Sequence, residues 1–263
     1  MTGDRRDGLS ANRAAYFDML ADMGMTKHIG SLEATDALVQ GCHIGSGSLV
    51  LDVGCGVGLT PCYLVKTYGC RVVGIDITPK MIVRAQAEGE RRGLVDALLW
   101  GVADAQALPF ATESFDAVLV ESVSVFLDDI PLGFSEYARV TKPGGYVGVT
   151  ESTWLSDAPE ASDDFYAAIG GTGKTKDAWT AYMRGAGLTD VAGYARAADV
   201  REEARGRLKR FGAGGMARAV LGALRLMFGS KRVRKLYLDA LKAAPPDVMK
   251  LLGYGVFVGQ KGH

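Results

Sequence analysis

The residues with the clearest chemical meaning are three glycines that follow a short apolar run. Residues 50–58 read VLDVGCGVG, with Gly54, Gly56 and Gly58 in alternation. Glycine lets the backbone come close to a ligand, and the helix that begins near Pro61 offers unpaired N–H groups to an anion. A dinucleotide-binding loop would place its third glycine at position 59, where this chain has Leu59. The turn by itself predicts a ligand site and leaves the ligand open.

Two carboxylates follow the next two apolar runs. Asp76 ends the segment Gly74-Ile75-Asp76, a position from which a carboxylate can accept both hydroxyls of a ribose. Asp104 follows the next run and can accept a hydrogen bond from an adenine amino group. A ribose-binding acid is common to NAD and S-adenosylmethionine sites, whereas a dinucleotide site has no general need for the second acid. The glycine turn and the two acids together favour S-adenosylmethionine.

The elements that must position these residues alternate between apolar runs and helical segments from 48 to 151. This alternation is typical of βαβ units and of a parallel sheet buried on both faces. Thr60 can cap a helix that has Pro61 at its first position and Gly69 beyond its end. A helix is also predicted near 176–185. The predicted strands are 49–53, 72–75, 97–100, 117–120, 146–149, 189–194 and 253–259.

Four ordered motifs within residues 16–194 resemble the class I S-adenosylmethionine-dependent methyltransferases. They are LDVGCGVG, GIDIT, ADAQALPF followed by FDAVLVES, and TKPGGYVGV. The similarity is greatest to the small-molecule group that includes the ubiquinone and menaquinone C-methyltransferases. It implies an α/β fold with a Rossmann-like seven-stranded sheet, helices on both faces, and here a helical insertion before the last strand.

The resemblance also implies which residues contact the cofactor S-adenosylmethionine. They divide into residues at the methionine part, the ribose, the adenine ring and the adenine edge. In that order they are Gly54, Cys55 and Gly56; Asp76; Ile77 and Met81; and Asp104 with Ala105.

On the acceptor side, Glu121 at the end of the fourth predicted strand is the first candidate. Its carboxylate can recognise the sulfonium end of the cofactor, orient the acceptor or take its proton. His28 is the second candidate for a base, because a neutral imidazole can accept a proton near pH 7. A solvated strand-end acid and a surface histidine are the alternatives. A dedicated base is not required, since proximity and the exclusion of water supply much of the rate.

Two aromatic residues are candidates for acceptor contacts. Tyr16 lies in an N-terminal segment, residues 10–42, whose helices we expect to cover the cofactor, and its alternative role is to pack one helix against the domain. Trp154 follows the fifth strand and either lines an acceptor pocket or fills the core.

The segment 195–252 is helical in pattern and strongly basic. Between Arg196 and Leu252 there are fourteen Lys and Arg against five Asp and Glu. Apolar residues recur at helical spacing within it, namely Met216, Val220, Leu221, Leu224, Met227 and Phe228, with Arg218 and Arg225 elsewhere on the helix. We predict a lid that packs over the acceptor, and we leave peripheral membrane contact or a homodimer contact open as alternatives. The quinone enzymes have only a short connection here, so the quinone assignment does not follow.

Composition limits the other classes of function. The chain of 263 residues carries 30 basic and 30 acidic residues, so no overall charge favours nucleic acid. Its four cysteines have no CxxC spacing and no histidine partners, and no metal site is predicted. A polar N-terminus without an apolar signal segment predicts a cytoplasmic location. We expect a single domain over 1–263, as a monomer or homodimer.

The predicted activity is methyl transfer from S-adenosylmethionine to a small acceptor that is apolar or lipid-like. A non-catalytic S-adenosylmethionine-binding partner or regulatory protein is the alternative from a different class. An NAD-dependent oxidoreductase is disfavoured by Leu59 and by the second acid. A nucleic-acid methyltransferase is disfavoured because neither an Asn/Asp-Pro-Pro-Tyr/Phe tetrapeptide nor an RNA-binding module is visible.

Overall fold

The computed structural model describes residues 3–23, 31–156, 162–244 and 248–263. In chain order the helices are α1 (Gly3–Met23), α2 (Ser31–Gly41), α3 (Leu59–Tyr68), α4 (Pro79–Arg92), α5 (Ile130–Val140), α6 (Ser162–Ala168), α7 (Lys176–Gly185), α8 (Val200–Gly229), α9 (Lys231–Ala243) and α10 (Val248–Leu251). The strands are β1 (Leu49–Val53), β2 (Arg71–Asp76), β3 (Leu98–Val102), β4 (Phe115–Glu121), β5 (Thr141–Trp154), β6 (Lys174–Thr175), β7 (Leu188–Ala197) and β8 (Leu252–Lys261).

The strands form one mixed sheet in the order β3-β2-β1-β4-β5-β8-β7. The first five are mutually parallel, and β8 is antiparallel to both of its neighbours. The predicted Rossmann-like sheet of seven strands is confirmed, and the two-residue β6 adds a short eighth strand beside β5. Strand order reverses between β1 and β4, so a crevice opens at their carboxyl ends.

The central strands are buried on both faces because their side chains alternate between two separate cores. Leu51 of β1 and Val118 of β4 belong to one core cluster, whereas Val50 and Leu119 belong to the other. All four are fully buried. Two cores of this kind require covering elements on both sides of the sheet, which is why near-continuous apolar strands alternate with helices.

α3 lies where the sequence predicted a helix, but only one of its two predicted end signals acts as expected. Gly69 ends α3 with a φ of +70°, and its N–H donates to the Val65 carbonyl. Thr60, however, does not cap the helix. Gly58 occupies the cap position, and the Thr60 hydroxyl donates instead to Glu121. α3 begins at Leu59, so Thr60 lies inside the helix, and its hydroxyl forms the stronger hydrogen bond that a charged acceptor provides.

The N-terminal helices and the insert contact one another. α1 begins at Gly3, earlier than the start near residue 10 that the sequence predicted. α8 is interrupted at Gly212, which has a φ of +66°. α8 packs against α1 and α2, and α9 packs against α1 and α6. None of the described helices is both long and apolar enough to cross a bilayer.

Candidate active site

The glycine turn after β1 is fixed against the end of β2. Gly54, Gly56 and Gly58 have φ values of +73°, +54° and +81°, which L side chains rarely adopt. The N–H groups of Gly54 and Cys55 both donate to the Ile75 carbonyl, each over 2.8 Å. Gly54 and Gly56 line a cavity, and Val123 packs so closely on Gly54 that an added Cβ there would overlap Val123 Cγ2.

Asp76 lies in the same wall and is held by two backbone donors. One carboxylate oxygen accepts the Gly56 N–H over 3.0 Å, and the other accepts the Thr78 N–H over 2.8 Å. Burial raises the pKa of Asp76, and the hydrogen bonds from Thr78 and Gly56 lower it in part. Each oxygen retains a lone pair for a further donor. The carboxylate is therefore oriented to accept two hydroxyls from a ligand.

The adjoining wall combines apolar side chains with a third acceptor. Met81 and Ala105 are buried, while the Ile77 side chain is 54% exposed at the cavity mouth. Asp104 uses one carboxylate oxygen to accept the backbone N–H of Gln106 over 2.9 Å. Asp104 thus stabilises its own turn and also lines the cavity.

One cavity of about 800 Å³, partly open to solvent, unites these residues. Its lining includes every cofactor-contact residue predicted from the sequence except Cys55, and it also includes Glu121. The Cys55 thiol packs instead with Ile82 and Ala85, so only its backbone follows the turn. Residues that sequence reasoning missed also line the cavity, namely Arg13, Phe17, Leu20, Thr78, Gln106, Ser122, Val123, Phe126 and Leu127.

An aromatic group from α1 closes one side of the cavity. Phe17 packs edge-on against Phe126 with 5.1 Å between ring centroids, and Tyr16 stacks on Phe126 at 5.7 Å. Phe17 and Phe126 line the cavity, whereas Tyr16 lies behind them. Burial raises the pKa of Tyr16 well above its ordinary range, and Arg207 of α8 lowers it slightly. The spacing of Arg13, Phe17 and Leu20 along one helix face was the signal available in the sequence.

Arg13 is a cation at the cavity. Its Nη2 contacts the Asp128 carboxylate over 2.5 Å, and its side chain is only 16% exposed. Within the described part of the chain, its buried Nε has no hydrogen-bond partner. The backbone of α1 passes close to Gly170 at this point, since a Cβ added to Gly170 would lie 2.5 Å from the backbone nitrogen of Arg13.

Glu121 is buried at the end of β4 and joins two helices. Its two carboxylate oxygens accept the hydroxyls of Thr35 in α2, over 2.7 Å, and of Thr60 in α3, over 2.8 Å. Thr35 is fully buried and Thr60 is 7% exposed. The carboxylate therefore holds α2 and α3 against the carboxyl edge of the sheet, in addition to lining the cavity.

The loop after β4 is strained and firmly held. Ser122 has a φ of +61°, an unfavourable value for a residue with a side chain, and its N–H donates to the Thr150 carbonyl over 2.7 Å. The buried carboxylate of Glu151 accepts the N–H groups of Val123 and Ser124. The Ser122 hydroxyl is buried, and no described residue hydrogen-bonds to it. Such a group at a cavity wall is suited to a ligand.

Two further predicted residues lie elsewhere. Trp154 is 2% exposed and packs edge-on against Phe165 and Tyr166, at 6.5 and 5.7 Å. Of the two roles that the sequence left open for it, Trp154 has the core role: Phe165 and Tyr166 of α6 pack on its ring, and it does not line the cavity. His28 lies outside the described residues.

The cysteines and acids show no metal-binding arrangement among the residues that the structure describes. Cys42, Cys55, Cys62 and Cys70 are all buried thiols. Burial raises the pKa of Cys62 and of Cys70 to about 11, which keeps both protonated near neutral pH.

Sequence comparison places a methyltransferase domain model on residues 51–149, the segment that contains the glycine turn and both acids. An uncharacterized protein of Haemophilus influenzae is 32% identical over 181 residues, covering 66% of this chain and 72% of the other. A sterol 24-C-methyltransferase of Gibberella zeae is 39% identical over 127 residues, covering 48% of this chain and 33% of the other. The chain thus spans only a third of that larger relative.

Solved structures share the fold across nearly the whole chain. The cyclase SpnF superposes with a TM-score of 0.76 at 17% identity, covering 97% of this chain and 96% of the other. Phosphoethanolamine N-methyltransferase 2 of Haemonchus contortus, in complex with S-adenosylmethionine, superposes with a TM-score of 0.71 at 19% identity, covering 98% of this chain and 60% of the other. These solved structures show that the fold is shared. The methyltransferase domain model and the named methyltransferase relative show that the chain belongs to the class I methyltransferases, enzymes that use S-adenosylmethionine as cofactor.

Proposed function

We propose that the protein transfers the methyl group of S-adenosylmethionine to a small acceptor with an apolar body. The cavity wall beyond the glycine turn is the observation that carries the acceptor class. Phe17 and Leu20 of α1 line it together with Val123, Phe126 and Leu127. Such a wall binds apolar surface by removing it from water, at about 25 cal/mol per Å².

The cofactor, when bound, supplies an electrophilic methyl group on a sulfonium. The residues of the glycine turn fit its methionine part, because Gly54 and Gly56 have no side chains and the Cys55 thiol packs away from the cavity, against Ile82 and Ala85. Asp76 fits the ribose, because each of its oxygens has one backbone donor and room for one hydroxyl. Ile77 and Met81 suit an adenine ring, and Asp104 with Ala105 suits its edge.

Catalysis in this proposal depends on the alignment of the acceptor with the methyl group and on the exclusion of water from the cavity. α1 covers the cavity, Phe17 and Phe126 exclude water, and the loop held by Glu151 presents Ser122 at the wall. Alignment of a nucleophile with a methyl group and exclusion of water can supply much of the rate. Glu121 acts as a positioning residue, since its oxygens already accept two threonine hydroxyls. His28 remains a predicted base that the described residues do not test.

Ser122→Ala should lower kcat/KM by about tenfold, because a buried hydroxyl that binds a polar atom of the acceptor or cofactor is worth about 0.5–1.5 kcal/mol, and more to a charged group. Steady-state kinetics measure this. Stability should change little, since the described residues offer this hydroxyl no bond to lose. A Ser122→Ala enzyme with normal kinetics would show that the hydroxyl is only a tolerated core polar group.

The function is tested with deuterium-labelled S-adenosylmethionine and a metabolite extract separated into organic and aqueous fractions. Mass spectrometry should find a product heavier by a labelled methyl group in the organic fraction. Phe17→Ser should raise the acceptor KM by about tenfold or more while leaving cofactor affinity within about fivefold, because one large apolar contact is lost.

Tyr194→Ser is the matched control, since that ring is 45% exposed on the edge strand β7. It should leave both constants unchanged. A labelled product found solely in the aqueous fraction would contradict the apolar acceptor. Cofactor binding without any labelled product in either fraction would contradict the proposed transfer.

A further inference from the structure

The second half of α8, after the break at Gly212, exposes a stripe of large apolar side chains. Val220, Leu221 and Leu224 are 55%, 57% and 49% exposed, and Phe228 is 83% exposed. At about 100° per residue these four positions fall within an arc of about 100° on one side of the helix. We call Val220, Leu221, Leu224 and Phe228 the apolar stripe. Four large neighbouring side chains in water are unfavourable unless something else covers them.

The stripe is not the face by which α8 packs on the rest of the protein. Gly222 points the other way, and a Cβ there would lie 3.5 Å from the Cα of Met23 in α1. The sequence predicted that the apolar face of this helix packs as a lid. Four of the six residues that it named are exposed, and the lid itself stays a prediction. The helix contacts α1 at Gly222, and the four stripe residues are exposed on the other side.

Cations extend the exposed surface along α9. Lys231, Arg234, Lys235 and Lys242 are exposed, with the single acid Asp239 within 3.4 Å of Lys235. Leu238 and Leu241 are 44% and 55% exposed among them. Val233, on the opposite side of α9, is buried. The two neighbouring helices of the insert thus both expose apolar side chains, and α9 also exposes positive charge.

We infer that the apolar stripe and the exposed cations of α9 bind the surface of an anionic lipid bilayer. In this arrangement the stripe enters the boundary between headgroups and acyl chains, and the cations remain at the level of the lipid phosphates. The long stems of lysine and arginine can lie along the apolar layer while their charges stay in water. The inference uses no residue of the cavity and goes beyond the proposed methyl transfer.

A second copy of the chain would cover the apolar stripe less well than an anionic bilayer would. A stable protein interface buries about 800 Å² on each partner, more than one stripe of four side chains provides. Two inserts would also bring together two segments that each carry fourteen basic and five acidic residues. Like charges brought together in this way oppose association. An anionic bilayer instead covers the stripe and neutralises the cations at once.

The test is flotation of the full chain with vesicles of phosphatidylcholine alone and of phosphatidylcholine mixed with phosphatidylserine. No cofactor or acceptor is needed, so the outcome is independent of the proposed activity. We expect binding to the mixed vesicles at about 0.1 M salt and release at about 1 M, where the Debye length falls from about 10 Å to about 3 Å. Binding to pure phosphatidylcholine should be at least tenfold weaker.

Two variants separate the contributions. Leu224→Ser with Phe228→Ser should weaken the partition constant by tenfold or more, since both side chains enter the bilayer. Lys231→Gln with Lys235→Gln should weaken it about fivefold per cation. The matched control is Val83→Ser with Leu132→Ser, two exposed apolar residues on α4 and α5. The control should float as the parent does, and circular dichroism verifies that every variant is folded.

Three results would overturn the inference. The first is failure of the folded parent to float with the phosphatidylserine vesicles. The second is a stripe variant that floats as well as the parent, which would place the contact elsewhere. The third is a parent that does not bind vesicles but sediments as a dimer, and a stripe variant that sediments as a monomer, which would assign the stripe to contact between copies of the chain.

Discussion

Asp76→Ala should weaken S-adenosylmethionine binding by about 1.5–3 kcal/mol, or about 10- to 150-fold in Kd. The reason is that two ribose hydroxyls lose their charged acceptor, which Gly56 and Thr78 hold in place through their N–H groups. Isothermal calorimetry with S-adenosylmethionine and with its demethylated product measures the change. The demethylated product should lose the same amount, because Asp76 does not face the methyl group in the proposed placement.

The stability of the same variant follows from the pKa shift. Burial raises the pKa of Asp76 in the folded protein, so the folded state binds this proton more tightly than the unfolded chain does. The contribution of Asp76 to stability therefore falls as pH rises from the unfolded pKa of about 3.9 through the raised folded value. At neutral pH, the substitution removes the free-energy cost of burying the ionised Asp76 carboxylate. This gain offsets the loss of the two hydrogen bonds from the Gly56 and Thr78 N–H groups. We expect the melting temperature to change little.

Asp116→Ala is the matched control for this experiment. Asp116 is also a strand-associated acid, but it lies near the start of β4, where it accepts the Leu49 N–H over 2.8 Å and pairs with Lys142 over 2.7 Å. Its loss should leave cofactor affinity unchanged. A large drop in the melting temperature of Asp76→Ala with unchanged affinity would show that Asp76 is a structural residue.

Glu121→Ala should reduce the free energy of unfolding by about 2–4 kcal/mol. The change leaves the hydroxyls of Thr35 and Thr60 without their carboxylate acceptor in a buried site, at about 1–3 kcal/mol for each unsatisfied group. Urea denaturation followed by circular dichroism measures this. The loss should be accompanied by weaker activity, because α2 and α3 both border the carboxyl edge of the sheet.

Glu121→Gln distinguishes a positioning residue from a catalytic base. The amide keeps one acceptor and adds a donor, and a threonine hydroxyl can rotate to accept from it, so most of the network survives. We expect kcat within about fivefold of the parent and a stability loss of about 1 kcal/mol or less. General-base catalysis contributes about 10²- to 10⁴-fold, so a loss of that size with intact folding would assign the base to Glu121.

Much of the sheet and of the cofactor wall was predictable because its signals are local. The predicted strands correspond to β1–β5, β7 and β8, since runs of apolar residues between glycine and proline signals can be buried in few other ways. Asp76 is the last residue of β2, and Asp104 follows the end of the neighbouring parallel strand β3. Parallel neighbours end at the same edge of a sheet. Their common position beside the glycine turn follows from that topology.

The acceptor wall was not predictable to the same degree, because it depends on contacts between distant segments. Arg13 and Phe17 reach the cavity only because α1 packs across it, against Phe126 and the backbone at Gly170. Trp154 shows the reverse case. Its position after a strand suggested a site residue, but Phe165 and Tyr166 of α6 pack on its ring and bury it in the core.

The sequence by itself determined the sheet, the glycine turn and the acids at the strand ends, because periodicity and turn chemistry act over a few neighbouring residues. Only the tertiary structure decided what Glu121 does, since its partners Thr35 and Thr60 lie 86 and 61 residues away along the chain. It also decided which face of α8 is outward. Helical spacing defines an apolar side, whereas the contact between Gly222 and Met23 determines that this side faces away from the protein.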